Sequence, residues 1–313
     1  MTKVFATVVL GLVCVAANAA YPDRPIKMIV PWAAGGDTDN IFRPFAPLLQ
    51  KHLGGQTVVI ANIGGASGTK GAKEAKDSPP DGYTLYAMHD YIHSTYYAGV
   101  ADVQYSDFEP ICLISSTASV LTASPKTPWK NWQEFLADAK KRPGQITVGA
   151  TLASTSHFFP ALIEQAAGIK FKYVSYEGLA PRMNAILGGH IDLTDANLTQ
   201  KGKVEAAQLK FLAIATEKRH PEMPNIPTLK ELGVNVVYDV NRGIVVPKGA
   251  PGDVIAKLGS ACAAAAKEPE FAKAMKLQGT DVRYMDRAAY SSWLKKNDEL
   301  NRKLAKDLGL LKR

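Results

Sequence analysis

From Ile26 the chain repeats one unit: a short apolar strand, a glycine-bearing turn, and residues suited to opening a helix. Ile26, Met28, Ile29 and Val30 form the first strand, which breaks at Pro31 and passes Trp32, two alanines, Gly35 and Gly36 to reach Asp37-Thr38-Asp39. Those last residues are good helix N-caps. The unit returns at the strand Thr57 to Ile60, the glycine stretch Ile63 to Gly71 and the helix Thr69 to Lys76. Strands alternating with helices in this way predict an α/β lobe with a mostly parallel sheet. Each glycine turn leads into a helix N-terminus, where free backbone N–H groups and the positive end of the macrodipole favour an anion, a carboxylate foremost. Two such turns, Ala34 to Asp39 and Gly65 to Thr69, can approach one ligand from both sides. Glycines used only for turning would leave the same pattern.

Further along, Ile111 to Ser124 reads as a long strand with a polar middle and begins the passage to a second lobe. That lobe opens with an amphipathic helix from Trp129 to Lys141. The strand Ile146 to Ala150 leads into a helix start with hydroxyls at Ser154, Thr155 and Ser156, followed by His157. Tyr173 to Tyr176 is a strand, Ala180 to Leu187 a helix, and Ile191 to Asn197 runs from a strand into a loop. A strand at Leu209 to Thr216 precedes a proline-punctuated segment, Asn225 to Val236, with a short helix. Tyr238 to Val246 returns as a strand carrying Arg242. Helices at Asp253 to Ala266, Pro269 to Gln278 and Arg287 to Leu308 fill the last third, with a short strand at Asp281 to Tyr284. Pro44 and Pro47 predict a kink or a late start in the first helix.

The first residues read as a secretory leader: Lys3, an apolar run from Val4 to Ala17, and a small-x-small site at Ala17-Asn18-Ala19. Export and cleavage after Ala19 are expected, and the run is too short to span a bilayer. Cys14 leaves with the leader; whether Cys112 and Cys262 pair is open. The chain has 37 Lys and Arg against 29 Asp and Glu. The lysines are scattered and no basic run is interleaved with aromatics, which argues for a solvated basic surface and against nucleic acid.

Several chemistries are absent from the pattern. Gly68-Thr69-Lys70-Gly71 lacks the Gly-Lys-Ser/Thr order of a phosphate loop, and Ser67 lacks the frame of a hydrolase elbow. Ser156 and His157 are adjacent on a helix, so their side chains do not face each other. His89 and His93 have i, i+4 spacing but no third ligand at a matching interval. No metal, no cofactor and no catalytic set is expected. His89 and Tyr91 instead stand at the C-terminal end of a strand, where open α/β sheets place ligands.

The ordered landmarks resemble the periplasmic solute-binding proteins of tripartite tricarboxylate transporters, the TctC/Bug-type receptors. They include Pro22-x-x-Pro25-Ile26, Asp81-Gly82-Tyr83-Thr84-Leu85, Asp107-Phe108-x-Pro110-Ile111, Tyr176-x-Gly178-x-Ala180-Pro181, Leu187-Gly188-Gly189-x-Ile191-Asp192 and Val246-Pro247-x-Gly249-x-Pro251. They span essentially the whole chain after the leader. The resemblance implies a two-lobe periplasmic binding protein fold (type II-like), its lobes joined by two crossover strands and closing on a ligand. It implies a carboxylate held by the two glycine loops, a membrane permease pair as partner, and a periplasmic location. It places the first lobe at residues 20–115 plus 238–313 and the second at 116–237, with a monomer as the working form.

Departures from the family pattern bear on the ligand. Trp32 stands at an aromatic position, Asp37 replaces a common glycine, and Arg242 stands where an aromatic is common. A guanidinium there could pair bidentately with a second carboxylate, with Trp32, Tyr91 or Tyr176 covering an apolar middle and Asn197 nearby. The expected ligand is therefore a dicarboxylate, an aromatic one such as a phthalate isomer included. A structural ion pair at the hinge is the competing role for Arg242. A ligand-presenting sensor and a hydrolase on the same scaffold are the competing functions.

Overall fold

The computed structural model describes residues 21–313, so the stretch read as a leader, with Cys14, lies outside the described residues. In chain order the first part runs β1 (Ile26–Val30), α1 (Asp37–His52), β2 (Val58–Asn62), α2 (Thr69–Lys76), β3 (Thr84–His89), α3 (Tyr91–Tyr97) and β4 (Phe108–Ala118). The chain then enters β5 (Val120–Ala123), α4 (Trp132–Lys141), β6 (Thr147–Ala150), α5 (Thr155–Ala167), β7 (Lys172–Ser175), α6 (Leu179–Gly188), β8 (Leu193–Ala196), α7 (Lys201–Glu205) and β9 (Lys210–Ile214). It finishes with β10 (Asp239–Pro247), α8 (Gly252–Ala265), α9 (Pro269–Leu277), β11 (Asp281–Met285) and α10 (Arg287–Asp307).

Two sheets result, ordered β11-β4-β10-β3-β1-β2 and β7-β6-β8-β5-β9. Within each, the βα units give parallel pairs, β1 with β2 and β3 in the first and β6 with β7 and β8 in the second. The strands that connect the sheets run the other way: β4 pairs antiparallel with β10, and β5 with β8 and β9. Both sheets are therefore mixed. The stretch read from sequence as one strand from Ile111 is two, β4 in the first sheet and β5 in the second, parted at Ser119. Ser119 donates its N–H to Tyr238 O and accepts from Ala215 N, so it pins both crossings at one point.

Each sheet buries its faces under helices. Phe42 and Phe45 of α1 meet Phe271 of α9 and the β1 side chains in one core. Phe135 of α4, Phe159 of α5 and Leu193 of β8 anchor the other. Each such side chain contributes roughly 1.5–3 kcal/mol by leaving water.

Three expectations need correction. Helix α1 begins at Asp37 and runs unbroken to His52 with both prolines inside it, so there is no late start. Pro44 has no N–H to give the carbonyl of Asn40, four residues earlier; Gln278 Nε2 donates to that oxygen instead at 2.8 Å. The segment around Asn225 to Val236 has turns and no helix: Thr228 and Glu231 cap one turn reciprocally, but Gly233 at φ +79° and the bond from Val234 N to Leu229 O end it there. Tyr91, read at the C-terminal end of a strand, opens the helix α3 (Tyr91–Tyr97).

Cys112 of β4 and Cys262 of α8 form a disulfide, with their Cα atoms 6.6 Å apart. Among the described residues no helix is long and apolar enough to cross a membrane.

Candidate ligand cleft

A cavity of about 50 Å³ lies between the sheets, on the strands that cross between them. Its first wall comes from the β1–α1 turn and the end of β3. Trp32 Nε1 donates to His89 Nε2 at 2.7 Å, and the two rings stack. That bond requires an unprotonated Nε2, in keeping with burial, aided by the nearby Arg242, pulling the His89 pKa well below its ordinary value. Tyr91 packs edge-on behind Trp32 and donates its hydroxyl to Gly68 O. Trp32, Asp37, Thr38 and His89 line the cavity; Tyr91 supports them from outside it.

The loop that precedes α1 has a different brace from the one expected. Gly36, with no side chain, is the N-cap. Asp39 does not face the cleft: its carboxylate accepts from Gly35 N, Arg43 and Asn62, and these bonds hold its pKa below the ordinary carboxylate value despite burial. Ala34 and Gly35 are exposed on the outer side of the turn.

At the second glycine loop, Gly65 and Gly68 have positive φ, and so do Ala66 and Ser67. An anion does sit at this loop, but it is the protein's own. Glu177, from the opposite lobe, accepts from Ser67 N at 2.9 Å, and Ser67 Oγ donates to Leu152 O. Thr69 turns its hydroxyl to Ala66 O. None of Gly65, Ala66, Ser67, Gly68 or Thr69 lines the cavity.

The facing wall is the N-terminal turn of α5 with the start of α6 and the end of β8. Ser154 caps α5 by accepting from Ser156 N, and Ser156 Oγ accepts from Thr151 N. Thr155, Ser154 and Ser156 all border the cavity. His157 does not: its ring packs against Tyr173 and its Nδ1 accepts from Ala153 N. Ser156 and His157 thus serve separate partners, and no nucleophile–base pair exists between them. Tyr176 is half-buried and packs beside Gly149, also outside the cavity lining. Asn197 borders the cavity while its side chain accepts from Thr199 N; Thr199 Oγ1 in turn reaches Asp37 across the cleft at 3.4 Å.

Arg242, on β10, is 3 % exposed and largely occupied by the protein. Its Nε donates to Thr38 Oγ1, and its Nη1 to Thr117 Oγ1 and Val240 O. Its Nη2 lies 3.8 Å from Asp37.

Two buried side chains in the cavity wall escaped the sequence reading, Arg182 of α6 and Asp195 of β8. Arg182 falls on the face of α6 that buries Leu179, Met183 and Ile186, so a charge interrupting an apolar stripe was the available signal. Neither Arg182 Nε nor Asp195 Oδ1 has a hydrogen-bond partner. Burial pushes the Asp195 carboxyl up to about 7, against the pull of Arg182. His93, by contrast, faces away from the cleft and bonds Asp298 on α10.

These features are those of a binding cleft, and comparison with known proteins agrees. Residues 41–310 match the tripartite tricarboxylate transporter family receptor, TctC. A Cupriavidus necator protein described as a UPF0065 protein in the gbd 5' region is 30 % identical over 98 % of this chain and 95 % of its own. Bordetella pertussis BugT is 29 % identical, covering 82 % of each chain. The structure of the periplasmic binding protein BugD superposes with a TM-score of 0.88 at 32 % identity, covering 94 % of this chain and all of that one. R. palustris Rpa4515, solved with adipate, superposes at 0.87 with 27 % identity over 92 % of this chain and 98 % of its own. The chain belongs to the TctC/Bug family of periplasmic solute-binding proteins, receptors of tripartite tricarboxylate transporters, and is a binding protein rather than an enzyme.

Proposed function

We propose that this receptor captures a small dicarboxylate in the cleft between its lobes and delivers it, closed, to a tripartite tricarboxylate-type permease. The observation that carries the reading is a cleft cavity bordered by the N-terminal turns of α1 and α5, one from each side, with two buried arginines in its wall. Helix N-termini and guanidinium groups both favour carboxylate oxygens. A relative that holds adipate supports the same class.

Taking the lobes as residues 20–115 with 238–313 and 116–237, the ligand would touch both only when they close. It therefore binds the closed form better and shifts the population toward it. Trp32, His89, Thr38, Ser154, Thr155, Ser156 and Asn197 are the contacts we assign to the ligand, with export to the periplasm after cleavage near Ala19.

The test is a thermal-shift panel on the chain from Ala20 with mono-, di- and tricarboxylates. A ligand at a hundred times its dissociation constant adds about 2.7 kcal/mol of stability. A rise confined to dicarboxylates of one length range supports the reading; no rise with any acid overturns it.

A further inference from the structure

We propose that Arg182, and not Arg242, is the anchor that grips one carboxylate of the ligand and makes the cleft select diacids over monoacids. The inference rests on the carboxylate reading above and names the group that enforces it.

The two arginines differ in what already satisfies them. Arg242 gives Nε to Thr38 and Nη1 to Thr117 and Val240 O, and keeps Nη2 near Asp37. Its guanidinium is held in place by the hinge itself. Arg182 is 5 % exposed and lines the same cavity from α6, yet its Nε has no hydrogen-bond partner. Among the described residues it makes no side-chain hydrogen bond and no carboxylate approaches it within the 4 Å of an ion pair, whereas Arg242 has both. A buried cation without a partner is costly, and evolution tolerates such groups where a ligand completes them. A carboxylate is the natural complement, since the guanidinium fork offers two parallel N–H groups to its two oxygens.

The surroundings limit what else Arg182 can take. Asp195 of β8 and Asp37 of α1 are the acidic groups that act on it, through space and without a hydrogen bond to it. Leu179 and Ala196 give the same wall its apolar part, suited to the methylenes of a short chain. A monocarboxylate can satisfy one end of the cleft and leave Arg182 unpaired, while a diacid satisfies both.

The experiment is titration calorimetry on the chain from Ala20 with succinate, glutarate and adipate and with the matched monoacids butanoate, pentanoate and hexanoate. The expected result is that the wild type prefers the diacid of its best pair and that Arg182→Met loses about a hundredfold for that diacid, as removal of a buried charge-assisted pair should. Monoacid affinity changes only a few-fold, and Arg182→Lys restores part of the preference. The melting temperature of ligand-free Arg182→Met should equal or exceed that of the wild type, because the substitution removes an unpaired buried charge. An unchanged diacid-to-monoacid ratio in Arg182→Met overturns the inference while leaving the carboxylate reading intact. A ligand-free Arg182→Met that melts lower or fails to fold also overturns it, since the arginine would then serve the fold. A wild type that binds none of these acids removes the carboxylate reading and this inference with it.

Discussion

At the scale of single residues, the cleft contains charges whose roles are set by their neighbours rather than by their type. Arg242 was visible in the sequence because it replaced an expected aromatic, and Thr38, Thr117 and Val240 O hold its guanidinium in the cavity wall. Arg242→Gln should lower the ligand-free melting temperature by the equivalent of about 3 kcal/mol or more, since it strips a buried network that ties Thr38 to Thr117. Differential scanning calorimetry without ligand reads this directly, and an unchanged melting temperature would refute it. Arg182 was legible only as a charge on an apolar helix face, which sequence alone cannot distinguish from a frayed stripe. Asp195 carries a pH signature. Burial raises its pKa to about 7 in the folded protein, so its contribution to stability is complete below the ordinary carboxylate range and disappears as pH rises to about 7. His89, His93 and His157 are held neutral by burial and pull the opposite way as pH falls. The wild-type curve therefore mixes the two, and the informative quantity is the difference from Asp195→Asn. Urea unfolding from pH 5 to pH 7.5 should show the variant gaining on the wild type by up to a few kcal/mol. A difference that stays constant over that range would show that Asp195 does not titrate there.

Elements carry the next level. The strand–glycine–helix rhythm made β1, α1, β2 and α2 legible, because period and turn chemistry are local properties. The sequence could not show what would occupy the second glycine loop. Ser67 N is taken by Glu177, which arrives from the other lobe and has no local signal. That contact joins the N-terminal end of α2 to the turn preceding α6 and exists only where the lobes meet. Glu177 is exposed, so the contact is weak, at about 0.3–1 kcal/mol. Glu177→Gln should therefore weaken ligand binding by roughly two- to five-fold at low salt, with little change in ligand-free stability and a smaller effect at high salt. Calorimetric titration at two ionic strengths measures it; equal affinity in both proteins would mean the closed state does not lean on this contact. Continuity of α1 through Pro44 is similarly non-local, since the carbonyl that proline leaves open is satisfied by Gln278 at the far end of the chain.

For the whole molecule, the question is which constraints hold a lobe together and which set the distance between lobes. The first lobe is assembled from both ends of the chain: β4 lies between β10 and β11, and α8 packs against β4 and α1. The Cys112–Cys262 bond joins β4 to α8 inside this lobe, across a sequence separation of 150 residues that encloses all of the second sheet. Cross-links over long loops restrict the unfolded chain strongly, with typical effects of about 2–4 kcal/mol. The bond does not bridge the cleft, so it should leave the open–closed balance alone. Reduction, or the Cys112→Ala/Cys262→Ala double substitution (both positions are fully buried), should thus lower the ligand-free melting temperature by several degrees. Diacid affinity measured well below that temperature should stay within about two-fold of the oxidised protein, which corresponds to less than about 0.5 kcal/mol. A large fall in affinity on reduction would show that the first lobe changes shape when the bond is cut. In that case Trp32, in the turn that follows β1, and His89, at the end of β3, would be displaced with it.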